Sequence, residues 1–402
     1  MSLPTSLKDI LKDLKTQHWI KALAEHSEIY IVGGTVRDAF TGKPMKDIDL
    51  IVDGLSFDGI QKRLESFGKL SLVGESFSVI KFRPHGHTGE DFDIAIPRED
   101  RKVGEGHKGF EIVTEGVDIM GDLKRRDFTI NSMAVNVMTG ELLDPFNGKK
   151  DLENKLIRAT DKNAFIEDPL RILRGIQFAS RFDFDIEKGT KELMKQNSEL
   201  VTQITGERIL EEFQKILLKS GNTQRAFNLI HETDLDLALF NKKMIHYKKG
   251  FNELDPISFY FILGVVGGVN PTEFYVKRLK GETKMAKAIT TLDMILDRWH
   301  SLYEDEDKKY VIFRALQKSP EVAQAVLLPK DAQKIIKEMK SGKIPAVPQD
   351  IAINGNDIML LLNIKGEQVG FIKERIERDA LMNKFDWKNR DECIEYIQRI
   401  VK

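Results

Sequence analysis

Two acidic pairs carry the most chemistry in this chain: Asp47 and Asp49 in "KDIDLIV", and Asp91 and Asp93 in "EDFDIAI". Side chains alternate along a strand, so carboxylates two residues apart share one face. Such a face suits a hard divalent ion like Mg2+, which takes carboxylate oxygens together with substrate phosphates and steadies an in-line displacement. Asp47 and Asp49 are the candidate metal ligands. Asp93, on a neighbouring strand, is the preferred third acid, and the three form the candidate catalytic set. Upstream, "IYIVGGTVRD" sets Gly33 and Gly34 between an apolar run and a helical one, with Arg37 one turn into the helix. Bare glycine backbone at a helix start lets amide groups approach a phosphate, and a guanidinium adds a fork of donors. The pattern is not GxxxxGK[ST], so it is no P-loop. Taken singly, a Gly-Gly pair is usually a turn and a lone DxD a solvated strand end; their succession as strand, turn, helix and acidic strand gives them weight.

These residues need elements to position them. Up to about residue 150, short β-rich runs ("IYIVGG", "IDLIVDG", "FSVIKF", "FDIAI", "SMAVNVM") mix with a few helical ones, and from Asp151 onward helical periods dominate. The expected fold class is α+β: a head of small mixed sheet and helices over residues 1–150, then an all-α remainder, divided into a neck over 151–240 and a body and tail over 241–402. Leu7, Ile10, Leu11 and Leu14 have the spacing of an amphipathic helix. "GVVGGVN", residues 264–270, reads as a core helix and turn rather than a nucleotide loop, and Gly and Pro mark connectors around 277–284 and 341–350.

Strand, "GG(x)VRD", then "DxD" resembles the nucleotidyltransferase superfamily of DNA polymerase β. Four further motifs follow in order: "LKRRDFTINSMAVN" from Leu123, "DPFNGKKDLENKLIRAT" from Asp144, "EDPLRILRGIQFASRF" from Glu167 and "GERILEEFQKIL" from Gly206. Together they closely resemble the class II tRNA nucleotidyltransferases, the CCA-adding enzymes and their poly(A) polymerase relatives, over nearly all of residues 29–217. A looser likeness over 350–384 to the C-terminal segment of bacterial CCA-adding enzymes favours a tRNA enzyme. The resemblance implies attack of an RNA 3′-hydroxyl on the α-phosphorus of CTP or ATP, with Mg2+ on Asp47 and Asp49 and with Asp93 joining them or acting as base. It also implies that Gly33, Gly34, Arg37, Arg125 and Arg126 bind the nucleotide, with Asp127 capping or pairing with one of the last two. The helical half would hold the acceptor arm and 3′ end of tRNA. The charged, Gly-rich segment 96–113 falls where this family carries a flexible loop, which weighs against a CC-only enzyme. An A-adding enzyme, a poly(A) polymerase and a catalytically inactive RNA-binding relative are the alternatives.

Base choice has its own candidates. Asp168 and Arg171 stand three apart on an expected helix, so both can meet one base edge. Cytosine N4 and adenine N6 are amino donors that a carboxylate accepts, whereas guanine O6 and uracil O4 present acceptors. An Asp/Arg pair would select C and A without a template, as the resemblance implies for these positions; outside that context an intrahelical ion pair is the simpler reading. Arg174, one turn on, can reach a phosphate or the same base, or lie at the surface.

Composition bounds the rest. Lys and Arg number 62 against 63 Asp and Glu, so any nucleic-acid site must be a local patch. One cysteine, Cys393, allows no internal disulfide and fits a cytoplasmic setting. The N-terminus lacks an apolar core segment and carries Asp9 and Asp13, arguing against a targeting peptide, and no apolar run is long enough to span a membrane. No obligate protein partner is inferred.

Overall fold

The computed structural model describes residues 3–45, 48–72, 79–102, 110–245 and 254–401. It separates into two compact units, Met1–Lys243 and Met244–Lys402. In the first, the elements run α1 (Thr5–Thr16), α2 (His18–Ala24), β1 (Glu28–Val32), α3 (Gly34–Phe40), β2 (Asp49–Asp53), α4 (Phe57–Leu64), β3 (Gly68–Leu72), β4 (Val79–Pro84) and β5 (Phe92–Ala95). A separate hairpin, β6 (Glu99–Lys102) with β7 (Phe110–Val113), precedes α5 (Ile119–Lys124), β8 (Ala134–Asn136), β9 (Leu142–Leu143) and α6 (Gly148–Glu153). From there the unit is mainly helical: α7 (Ala164–Glu167), α8 (Leu170–Phe182), α9 (Lys188–Gln196), α10 (Gly206–Lys219), α11 (Thr223–Glu232) and α12 (Leu235–Phe240). The sheet-and-helix head followed by helices is the expected α+β class.

Among the described residues, seven strands form one mixed sheet in the order β3-β4-β5-β2-β1-β8-β9. Only β2 and β5 pair in parallel; every other neighbouring pair is antiparallel. The register divides the sheet's two faces. Ile29, Ile31, Leu50, Val52, Ile80, Phe82, Phe92 and Ile94 share one face by their pairings, and all are buried. Trp19 of α2 covers this face, its ring centroid 5.0 Å from both Phe82 and Phe92. On the other face Asp49 lies directly opposite Asp93, and Lys81 opposite Asp93 in turn. This second face carries an apolar cluster of its own, Tyr30, Val32, Ile51 and Ala134 with Ile119 and Leu123 of α5, and the partly buried Asp49 stands beside it at the start of β2.

Leu7, Leu11 and Leu14 are the buried stripe of α1, as their spacing predicts. In the helical part, α8 packs against α10 and α11, and Gly175 allows the closest approach on α8: a Cβ there would lie 2.2 Å from Met194 Cε and 2.9 Å from Phe128 Cζ. The second unit is helical throughout its described residues. Its apolar helix Pro256–Val266 is capped by Asp255, which accepts from Ile257 N and Ser258 N, and it ends in a turn at Gly267 and Gly268. That is the core helix and turn read from "GVVGGVN". Towards the C-terminus, Ile353, Ile358, Ile376, Trp387 and Ile397 enclose the unpaired Cys393 in a small core of their own. Among the described residues no helix is long and apolar enough to cross a membrane.

Candidate functional site

The site begins where β1 ends. Ile31 pairs with Leu50, so the close of β1 and the start of β2 lie side by side, and the Gly33 turn and Asp49 occupy the same end of the sheet. Gly33 has φ +66°, a conformation that side-chain-bearing residues adopt at a cost, and a Cβ there would stand 2.7 Å from Arg126 Nη1. Glycine is required twice over, for the turn and for the space the guanidinium fills. Asp49 and Asp93 face each other across the parallel β2/β5 pair, and Lys81 Nζ lies 3.0 Å from Asp93 Oδ1. Asp47 lies outside the described residues. Two facing carboxylates of this kind fit a hard divalent cation by their donor chemistry; among the described residues no group of three or more metal-ligating side chains is assembled.

Beside the turn is a cavity of about 360 Å³ lined by Gly33, Gly34 and Arg37 from the sheet end, and by Arg125, Arg126 and Asn131 after α5. Asp168, Arg171, Arg174 and Phe178 close it from the helical side. All eight residues expected to contact a nucleotide thus meet at one cavity, which is strongly cationic: five arginines against Asp127 and Asp168.

The arginines are held in place by two acids, one of which, Asp122, the sequence reading passed over. Asp122, fully buried on α5, takes Arg125 Nη2 at 2.7 Å and Arg126 Nη2 at 2.7 Å. Burial by itself would raise its pKa, but the two guanidiniums outweigh that and hold the carboxyl below its usual range. Spacings of three and four residues along a helix were the available signal in "DLKRRD". Asp127 was expected to cap or pair with Arg125 or Arg126; it pairs instead with Arg174, at 2.6 Å. The reason is local: α5 ends at Lys124, so Asp122 reaches both arginines along the helix while Asp127, beyond its end, is turned towards α8. Burial again opposes ionisation of Asp127, and Arg174, Asn131 and the Phe128 amide together depress its pKa.

Asn131 joins the two halves of this lattice. Its Nδ2 donates to Asp127 Oδ1 at 2.9 Å while its Oδ1 accepts from Arg37 Nη1 at 2.6 Å. Arg37 also bonds Asp38 at 2.8 Å and lies over the rings of Phe178 and Phe182. Much of its donor fork is therefore occupied inside the protein. Arg171 donates to the Arg125 carbonyl at 2.7 Å and to the Ala164 carbonyl and Glu167 at 3.3 Å.

Asp168 and Arg171 do not share a helix. Asp168 is extended (φ −135°, ψ 98°) because Pro169 follows and disfavours helical backbone before it. It stands at the start of α8, accepting from Leu170 N at 3.1 Å, and Arg208 of α10 approaches its Oδ2 at 3.2 Å. The expected competing contact, an Asp168–Arg171 ion pair, is replaced by these separate partners. Arg208, within the "GERIL" motif but forty residues away, offered no local signal.

Comparison with known proteins places this geometry. Residues 29–158 match the family described as "Poly A polymerase head domain", and residues 183–244 match "Probable RNA and SrmB- binding site of polymerase A". Over these two segments the chain is similar to that family. Among similar proteins, the "Multifunctional CCA protein" of Pseudoalteromonas atlantica is 40% identical over 200 residues, covering 48% of this chain and 46% of that protein. The protein of the same name from Aliivibrio salmonicida is 41% identical over 196 residues, covering 47% and 45%. The chain spans about half the length of the curated relatives it matches. Its fold resembles that of the Bacillus stearothermophilus CCA-adding enzyme in complex with CTP (TM-score 0.73, 20% identity, 99% and 98% of the two chains). It also resembles the Thermotoga maritima CCA-adding enzyme complexed with tRNA_CCA (TM-score 0.68, 23% identity, 100% and 97%).

Proposed function

We propose that this chain is a template-independent RNA nucleotidyltransferase that adds C and A to the 3′ end of tRNA, drawing on CTP and ATP and releasing pyrophosphate. The observation that carries this reading is the single cavity in which the glycine turn, the arginine lattice and the Asp168/Arg171 pair meet beside the Asp49 end of the sheet. The similarity to that family and to the CCA proteins supports it.

In this reading Gly33, Gly34 and the outward-facing donors of Arg125 and Arg126 receive the triphosphate, and Arg37 and Arg174 add to the local positive field. Asp168 accepts the exocyclic amino group of cytosine or adenine and Arg171 donates to the ring, while Arg208 aims the carboxylate. Guanine and uracil would leave that carboxylate facing an acceptor, a mismatch in buried polar groups that discriminates strongly. Asp47 and Asp49 would hold Mg2+, which when bound lowers the pKa of the attacking hydroxyl and neutralises charge on the leaving group. The RNA 3′-oxygen forms a bond to the α-phosphorus, the bond from that phosphorus to the bridging oxygen breaks, and Asp93 either takes the hydroxyl proton or assists the metal ligands. The helical remainder supplies the surface for the acceptor arm. A reducing cytoplasm is the compartment proposed, consistent with the buried, unpaired Cys393.

Labelled CTP and ATP, supplied with Mg2+ to tRNA transcripts ending at the discriminator base, at C or at CC, provide the test. Completion of all three to CCA is the expected result. Extension of the CC-ended transcript alone would identify an A-adding enzyme, long A tails a poly(A) polymerase, and RNA binding with no extension an inactive relative.

A further inference from the structure

A second cavity of about 380 Å³ lies on the far side of the Arg37 stack, lined by the rings of Phe40, Phe182 and Phe184, by Lys43, Lys149 and Lys155, and by one acid, Glu153. The two cavities share a wall: Phe178, which lines the first, stacks on Phe182 of the second with ring centroids 5.8 Å apart and planes within 5°. Arg37 lies over both rings.

Charge at this wall is unbalanced. Lys43 Nζ stands 4.2 Å from the Phe182 ring centroid, and the Arg37 and Arg181 guanidiniums each stand 4.9 Å from it, so three cations converge on one ring. Asp38 pairs with Arg37, and its charge reaches Lys43 and Arg181 as well, so one carboxylate serves three cations. Burial, then a neighbouring guanidinium, lowers the pKa of each group, and Asp38 only partly offsets this. Lys149 lies over the Phe40 ring and 3.9 Å from Glu153, and Lys155 adds an exposed ammonium at the rim, so three lysines stand against one acid in the lining. An anion would relieve the crowding, and the aromatic sides provide a flat apolar surface beside it. Phosphate next to a ring-binding surface is the combination by which proteins grip single-stranded nucleic acid.

We propose that this second cavity binds one nucleotide unit of single-stranded RNA, its phosphate against Lys43 and Lys155 and its base or ribose against Phe40 and Phe184. The proposal rests on the RNA-extending reading above and adds to it a place for the acceptor strand next to, and separate from, the incoming nucleotide. Through Arg37 and the Phe178–Phe182 stack the RNA-filled cavity supports the wall of the nucleotide cavity.

The test uses the full chain with a short 3′-labelled RNA and, separately, with CTP alone. Lys43→Ala and Lys155→Asn are the variants; Asn suits position 155, where φ is +55°. Lys43→Ala should weaken RNA binding roughly tenfold and flatten the dependence of log affinity on log salt by about 0.7, the signature of one lost phosphate contact on a single strand. Lys155→Asn should give a smaller loss of the same kind, with CTP affinity and melting temperature unchanged for both. RNA binding that stays unaltered in Lys43→Ala, with an unaltered salt slope, overturns the proposal. So does a loss confined to CTP, which would make the cavity a free-nucleotide site. If the wild-type chain binds RNA in this manner but extends no transcript, the enzymatic reading fails while the binding site stands.

Discussion

Asp49 lies in register opposite Asp93, and Asp168 lines the first cavity; the proposed function gives the first a part in the chemistry and the second in base choice. Their replacement should separate two functions. Asp49→Ala is expected to abolish incorporation of both C and A, whereas Asp168→Ala is expected to keep incorporation but admit U and G, measured by supplying each triphosphate singly to a CC-ended transcript. Retained selectivity in Asp168→Ala would remove that carboxylate from base choice. Asp122 belongs to a different category, since it never faces the cavity. Removing it strands two guanidiniums, and Asp122→Ala should cost roughly 3 kcal/mol of stability by chemical denaturation. The same carboxyl fixes an acid limit. Because its folded pKa is depressed below the ordinary 3.8, its stabilisation is complete above pH 3.8 and disappears as pH falls through the lower folded value. Asp127 behaves alike. Denaturation curves from pH 7 down to pH 2 should therefore show these contributions intact at mildly acid pH and lost only at the bottom of the range. The long-range partners of the arginines were the least legible in the sequence: Asp127 with Arg174 and Asn131 with Arg37 span 47 and 94 positions, and no local spacing announces them.

At the scale of elements, the sequence was read most securely where one period served both core and chemistry. The alternation in "IDLIVDG" and "FDIAI" placed the strands and the acidic face together, and the GG step marked the end of β1. What failed was the geometry of "EDPLR", where a helix was extended across Asp168 although the following proline ends it. Two glycines test the packing that positions the site. Gly33→Ala meets both an unfavourable φ, costing about 1–2 kcal/mol, and the Arg126 guanidinium; it should raise KM for both nucleotides and lower Tm. Gly175→Ala, forced against Met194 and Phe128, should lower Tm by overpacking worth about 1–3 kcal/mol while leaving base selectivity alone. A Gly175→Ala protein with unchanged Tm would mean that α8 can shift freely, contrary to the close approach seen there.

The whole molecule carries almost no net charge, with 62 basic and 63 acidic side chains, so attraction to RNA must come from patches such as the two cavities of the first unit. Affinity for a short RNA is expected to fall on the order of tens-fold between 50 and 200 mM salt, as for a few phosphate contacts, rather than by the many thousands expected of a broadly basic surface. Binding titrations at the two concentrations decide this, and affinity insensitive to salt would contradict it. The two-faced sheet has a consequence of another sort. Because β2 and β5 send Leu50 and Ile94 one way and Asp49 and Asp93 the other, a slip of either strand by a single residue exchanges the two sets. A misthreaded chain would turn both carboxylates into the core beneath Trp19 and take Leu50 and Ile94 out of it at the same stroke. The placing of the two acids and the packing of the sheet are thus checked by one register.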